Sequence, residues 1–131
     1  MALFRKGKRG RDDAPVDPED RSPQLGLKYK DLALLGQLLD HGANLDQPRH
    51  VLHFSYFPSA LAAAEAGTEL QGHGWIVEVR DPLPAYPDSW SLVCERPDAV
   101  LTPDFVREST DLFEAVAALH GGEYDGWEAS V

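Results

Sequence analysis

One cysteine, Cys94, is all the chain holds. An internal disulfide and a multi-cysteine zinc site are therefore both excluded. No apolar run approaches the ~20 residues that cross a bilayer, so no membrane association is expected. Basic residues are scarce. Against 22 Asp and Glu stand only 12 Lys and Arg, a formal charge of −10 over 131 residues. Five of those bases, Arg5, Lys6, Lys8, Arg9 and Arg11, precede the first acid, which leaves 7 bases against 22 acids in the remainder. Phosphate is repelled by such a surface, so direct nucleic-acid binding by the folded part is not expected. Also missing are a phosphate-cradling glycine loop, a G-x-S-x-G elbow and an H-E-x-x-H pair. No cofactor or metal is expected.

The chain has 43% apolar residues and 9% aromatics, which places it in the globular class. Its length fits one domain. The early positive charges are followed by Asp12, Asp13, Pro15, Asp17 and Pro18 rather than by an apolar stretch. That is not a secretion signal, and a cytoplasmic location is expected. Residues 1–26 carry three prolines and few large apolar side chains, so a disordered tail, basic then acidic, is expected there. Residues 27–131 are expected to fold.

Within that part, Lys28 to Leu39 has leucines at helical spacing, with Leu32, Leu35 and Leu39 on one face. Arg49 to Phe57 alternates β-branched and aromatic residues and reads as a strand. A helix opens after Pro58 and Ser59 and runs to about Gln71, with a small-residue stripe of Ala60, Ala63, Gly67 and Leu70. Trp75 to Arg80 and Trp90 to Glu95 read as two further strands. Thr102 is a helix N-cap and Pro103 suits the first helical position. That helix extends to about His120, with Phe105, Leu112, Phe113, Val116 and Leu119 on its apolar side. Glu123 to Val131 is a last strand.

After the leading helix the order is β-α-β-β-α-β, the ferredoxin-like pattern. The expected class is α+β: a four-stranded antiparallel sheet with two helices on one face, plus an extra N-terminal helix. The first and third strands are expected at the centre and the last at an edge. The other sheet face is expected to stay open or to be partly covered by the N-terminal helix.

The residue types that carry chemistry point elsewhere. His41, His73 and His120 each sit beside a glycine at an expected helix end, where a cation caps the carbonyls. His50 and His53 are three apart on a strand and face opposite ways. Cys94 lies mid-strand on the expected core face. Glu123, Asp125 and Glu128 read as a solvated strand edge. No enzyme is expected. Alternation places Val51, His53, Ser55 and Phe57 on the sheet face away from the helices, with Ile76, Glu78 and Arg80, with Ser91, Val93 and Glu95, and with Glu123, Asp125 and Trp127. From these His53, Phe57, Glu78, Glu123, Asp125 and Trp127 are the expected partner contacts. An extended basic peptide is expected to add as a strand beside the last one. Gly126, inside that strand, is expected to mark a bulge or a close backbone approach.

Gly122-Glu123-Tyr124-Asp125-Gly126-Trp127-Glu128 resembles the closing motif of the regulator of ribonuclease activity B family. Phe57-Pro58-Ser59-Ala60, the alanine-rich helix after it and Gly74-Trp75-Ile76-Val77 are similar to that family's first helix and second strand. The leucine helix ending in Gly42-Ala43, then Asn44 and Leu45, matches its leading helix. The resemblance spans roughly residues 28–131 and implies a non-catalytic protein that inhibits ribonuclease E. It implies as partner a ribonuclease E or G homologue, bound through a basic scaffold segment, and an effect on RNA turnover. A general protein- or small-ligand-binding domain that shares only the fold is the alternative; the oligomeric state is left open.

Overall fold

The computed structural model describes residues 16–131. Its elements are α1 (Tyr29–Asp40), β1 (Arg49–Phe57), α2 (Ala60–Gly72), β2 (Ile76–Arg80), β3 (Trp90–Ala99), α3 (Pro103–Leu119) and β4 (Glu123–Ala129). The class is α+β. One antiparallel sheet has the order β2-β3-β1-β4, so β1 and β3 are central and β4 is an edge, as expected.

Local chemistry sets the helix ends. The Ser59 side chain accepts from the Ala62 N–H at 3.1 Å, and the Thr102 hydroxyl accepts from the Phe105 N–H at 3.0 Å. Each satisfies a donor that the first helical turn leaves free. His41, His73 and His120 are the C-caps of α1, α2 and α3.

α2 and α3 pack on one face of the sheet. Ala63, Ala66 and Leu70 from α2 and Phe113, Val116 and Ala117 from α3 bury Phe57, Trp75, Leu92 and Cys94. The small residues of α2 let it lie close: a Cβ on Gly67 would meet Leu92 and Val77 at ordinary contact distance. A second cluster joins Leu35 and Leu38 of α1 to Val51, Ala99, Leu101 and Val106. Val51 points to the same side as Phe57, so α1 lies beside α3 on the covered face and leaves the other face open.

Several details differ from expectation. α3 buries Val106, Ser109, Thr110, Phe113, Val116 and Ala117, while Leu119 is exposed. The stripe is rotated toward residues that face both α1 and the sheet. In α2 the buried stripe starts at Ala63, not Ala60. β3 runs past Pro97 to Ala99 because the register against β1 shifts between Arg49 and Val51. An extra residue there accommodates the missing proline N–H.

The expected tail over residues 1–26 falls partly outside the described residues, from 1 to 15. Its later part is tied to the domain. Ser22 N–H donates to the Leu27 carbonyl at 2.8 Å, Arg21 pairs with Asp111 at 2.6 Å, and Ser22 and Leu27 are buried. Lys28 pairs with Glu114 and, at 2.9 Å, with Glu19. Contacts with the domain thus begin before residue 27.

Candidate partner-binding surface

β1 decides which side chains reach solvent. Arg49, Val51, His53, Ser55 and Phe57 are buried, and the residues between them are half-buried. The pairs His53↔Cys94 and His53↔Trp127 put these three on the covered face. The expected facing of β1 is therefore inverted, and three expected contacts are corrected. His53 is 1% exposed, stacks on Phe113 at 4.2 Å and meets Trp75 edge-on at 4.9 Å. It shares a hydrogen bond of 2.8 Å with the Tyr124 hydroxyl. Phe57 is buried in the main core. Trp127 donates its indole N–H to the Asp31 carboxylate at 2.9 Å and so fastens α1 to β4.

The inversion has a physical cause. Val51 and Phe57 are the apolar ends of one face, with His53 and Ser55 between them. Long-range neighbours from α3 and β4 make that polar middle tolerable. Burial holds the His53 ring neutral, with a pKa pushed down to about 3, aided by the positive charge of Arg96. Burial also raises the Tyr124 hydroxyl.

The open face consists of His50, Leu52, Phe54 and Tyr56 from β1, Ile76, Glu78 and Arg80 from β2, and Ser91, Val93 and Glu95 from β3. Glu123 and Glu128 join it from β4, opposite Tyr56 and Leu52. Of the expected contacts, Glu78 and Glu123 lie on this face and reach solvent, and the exposed Asp125 lies at its β4 margin. The His50 ring and the Glu95 carboxylate share a hydrogen bond, and Glu78 and Arg80 form an ion pair at 3.1 Å. Glu123, Asp125 and Glu128 have no ion-pair partner among the described residues. A depression of about 240 Å³ lies among Leu52, Ile76, Val93, Glu78 and Glu95. The centre is apolar, the β2–β3 margin carries Glu78 and Glu95 beside Arg80 and His50, and the β4 margin is acidic, an arrangement suited to a protein partner. Leu52, Phe54 and Tyr56 were missed as contacts; their signal was an apolar trio opposite a face with its own apolar ends.

The edge at β4 is irregular. Phe54 pairs with Gly126 but Ser55 pairs with Tyr124, so Asp125 is extra. Gly126 has φ +116. The expected bulge is there; the close approach is not, since nothing lies within 4 Å of a Cβ at Gly126. The tight spot is Gly122, where a Cβ would lie 2.5 Å from the Tyr56 carbonyl oxygen.

Cys94 is buried and its thiol is pushed up to about 12 by desolvation. Among the described residues no group of three or more His, Cys, Asp and Glu is placed to hold a metal ion. A larger depression of about 320 Å³ on the covered side is lined by Trp75, Arg96 and Phe105. The Arg96 guanidinium is engaged structurally. It stacks over Trp75 at 4.6 Å and donates to the His73 carbonyl at 2.7 Å, closing the end of α2. Among the described residues, no helix is long and apolar enough to cross a membrane.

No curated protein matches this chain. The family described as regulator of ribonuclease activity B matches residues 30–129, which runs from the first turn of α1 to the last residue of β4. With nearly all of the folded part covered, the chain belongs to that family, the regulators of ribonuclease activity B.

Proposed function

We propose that this chain is a non-catalytic acidic regulator that binds and inhibits an endonuclease of the ribonuclease E type, and so slows RNA turnover. Family membership over residues 30–129 carries the reading. The site supports it: an open sheet face with apolar Leu52, Phe54 and Tyr56 and acidic Glu78, Glu123 and Asp125 at its margins. The partner is a ribonuclease E or G homologue in the cytoplasm, and the part of it that binds is a basic scaffold segment. Charge draws such a partner in quickly, and the aromatic side chains of the open face then hold the complex. His53, Phe57 and Trp127 act from beneath, by fixing the sheet. Residues 27–131 are the regulatory unit, and the β2-β3-β1-β4 order is read as the ferredoxin-like arrangement of two split βαβ units.

Affinity capture with the full chain from its own cytoplasm tests this. Recovery of a ribonuclease E or G homologue is expected, with binding that weakens between about 0.05 and 0.5 M salt as screening shortens below ~10 Å. Added to the recovered nuclease, the chain should slow RNA cleavage, and alone it should cleave none. Capture that yields no nuclease, or RNA cleavage by the chain itself, overturns the reading. A complex indifferent to salt rules out the basic segment.

A further inference from the structure

The two free edges of the sheet differ in their capacity to take another strand. β4 is broken by the extra Asp125 and turned at Gly126, and Glu123, Asp125 and Glu128 line it. β2 has one neighbour, and its register against β3 is unbroken from Ile76↔Glu95 to Arg80↔Ser91. It contains neither glycine nor proline. Ile76 is 56% exposed and Val79 is 40% exposed. A regular, uncovered edge is a template for an added strand, and a bulged, charged edge is not.

We propose that the outer edge of β2 receives an extended basic segment of the partner as a fifth strand. This rests on the reading above that the partner presents such a segment. The sequence of the edge sets the pattern of the incoming strand. Ile76, Glu78 and Arg80 share the open face, and Val77 and Val79 share the other. A lysine or arginine opposite Glu78 makes a cross-strand pair, and apolar residues opposite Val77 and Val79 continue the covered side. The existing Glu78–Arg80 contact is exposed and offers little resistance. The balance of 7 bases against 22 acids after residue 11 selects for a positive chain. A second copy fits poorly. Antiparallel pairing centred on Glu78 sets that carboxylate against itself, and a five-residue edge buries far less than the ~800 Å² per partner of a stable interface.

The test uses the full chain and a ten-residue alternating Lys-Val peptide at about 0.05 M salt. Backbone hydrogen exchange is followed with and without peptide. Slowed exchange at residues 76–80, with no change at 123–129, is expected. Two further peptides carry N-methyl groups on every valine or on every lysine nitrogen. One of them should lose binding and the other keep it, because only alternate N–H groups of a strand face a given neighbour. Glu78→Lys should weaken binding about fivefold, and more than Glu123→Lys with Asp125→Lys does. Binding without protection at β2, protection at β4, or equal binding by both methylated peptides overturns the edge assignment alone. Protection at 76–80 without peptide, rising with protein concentration, assigns the edge to a second copy and overturns it too. No peptide binding at all overturns both this proposal and the basic-partner reading.

Discussion

The face of β1 beneath the helices buries His53 and Ser55, whereas the opposite face leaves Leu52, Phe54 and Tyr56 half in solvent. Polarity alone would place them the other way. The difference lies in what each face finds across from it. His53 stacks on the Phe113 ring, meets the Trp75 edge and bonds the Tyr124 hydroxyl through Nδ1, while its buried Nε2 has no hydrogen-bond partner among the described residues. Among the described residues, no helix packs on Leu52, Phe54 or Tyr56. An apolar stripe that the described residues leave uncovered is available to another molecule.

The largest effect separates the two faces by stability. Phe113→Ala removes the ring that His53, Trp75 and Tyr124 pack against, all from a fully buried position. A loss of about 3–5 kcal/mol is expected in urea unfolding. A loss below about 1 kcal/mol would mean that the covered face is not the core.

The sheet's turns give the next contrast. Gly122→Ala forces a Cβ against the Tyr56 carbonyl and the Phe57 ring, at a cost of about 3 kcal/mol. Gly126→Ala meets no neighbour, but its φ of +116 is unfavourable for a side chain. It should cost about 1 kcal/mol. Equal costs at the two positions would deny that β4 is bulged at one and crowded at the other.

His53 supplies a pH dependence. Its folded pKa of about 3 lies below its ordinary value of 6.5. Between these values the unfolded chain binds the proton and the folded chain does not, so stability falls as pH falls below about 6.5. The slope approaches about 1.4 kcal/mol per pH unit until about pH 3. Glu19, held down to about 2 by Lys30 and Lys28, adds a loss below about pH 4.5. His53→Gln should remove its slope, the only contribution among the described residues between pH 5 and 6.5, and below that leave only the acid limb that carboxylates such as Glu19 supply. Parallel unfolding curves for parent and variant across that range would show the ring is not buried neutral.

Much of this was legible in the sequence, and what was not has physical causes. The bounds of β1, the side-chain caps of Ser59 and Thr102, the C-cap positions of His41, His73 and His120, and the bulge near Gly126 follow from rules that act within a few residues. The facing of β1 does not, because both its faces carry apolar residues and only contacts with Phe113, Trp75 and Tyr124 distinguish them. The burial of Asp31 in α1 was equally out of reach. Its partner, Trp127, is 96 residues away. Pro97 hid the end of β3 because β3 bulges there, with Pro97 and Asp98 opposite the single residue His50 of β1, and that pairing is invisible locally.

The smallest expected effect on stability carries the most functional weight. Phe54 lies on the open face, opposite Val93 of β3 and Gly126 of β4. It is half-buried by its neighbours within the sheet, and among the described residues no helix packs over it. Phe54→Ser therefore exposes no core and leaves no cavity beneath a second layer. Unfolding in urea should shift by about 1 kcal/mol or less, well short of Phe113→Ala. Association with the captured nuclease should weaken at least about tenfold, since aromatic anchors near the centre of an interface carry most of its free energy. The dissociation rate should carry that loss, whereas Glu123→Lys and Asp125→Lys should act mainly on the association rate and fade in high salt. A Phe54→Ser chain that folds and binds like the parent would move the interface off the open face, to the acidic surface of α3 around Asp104, Glu108 and Asp111.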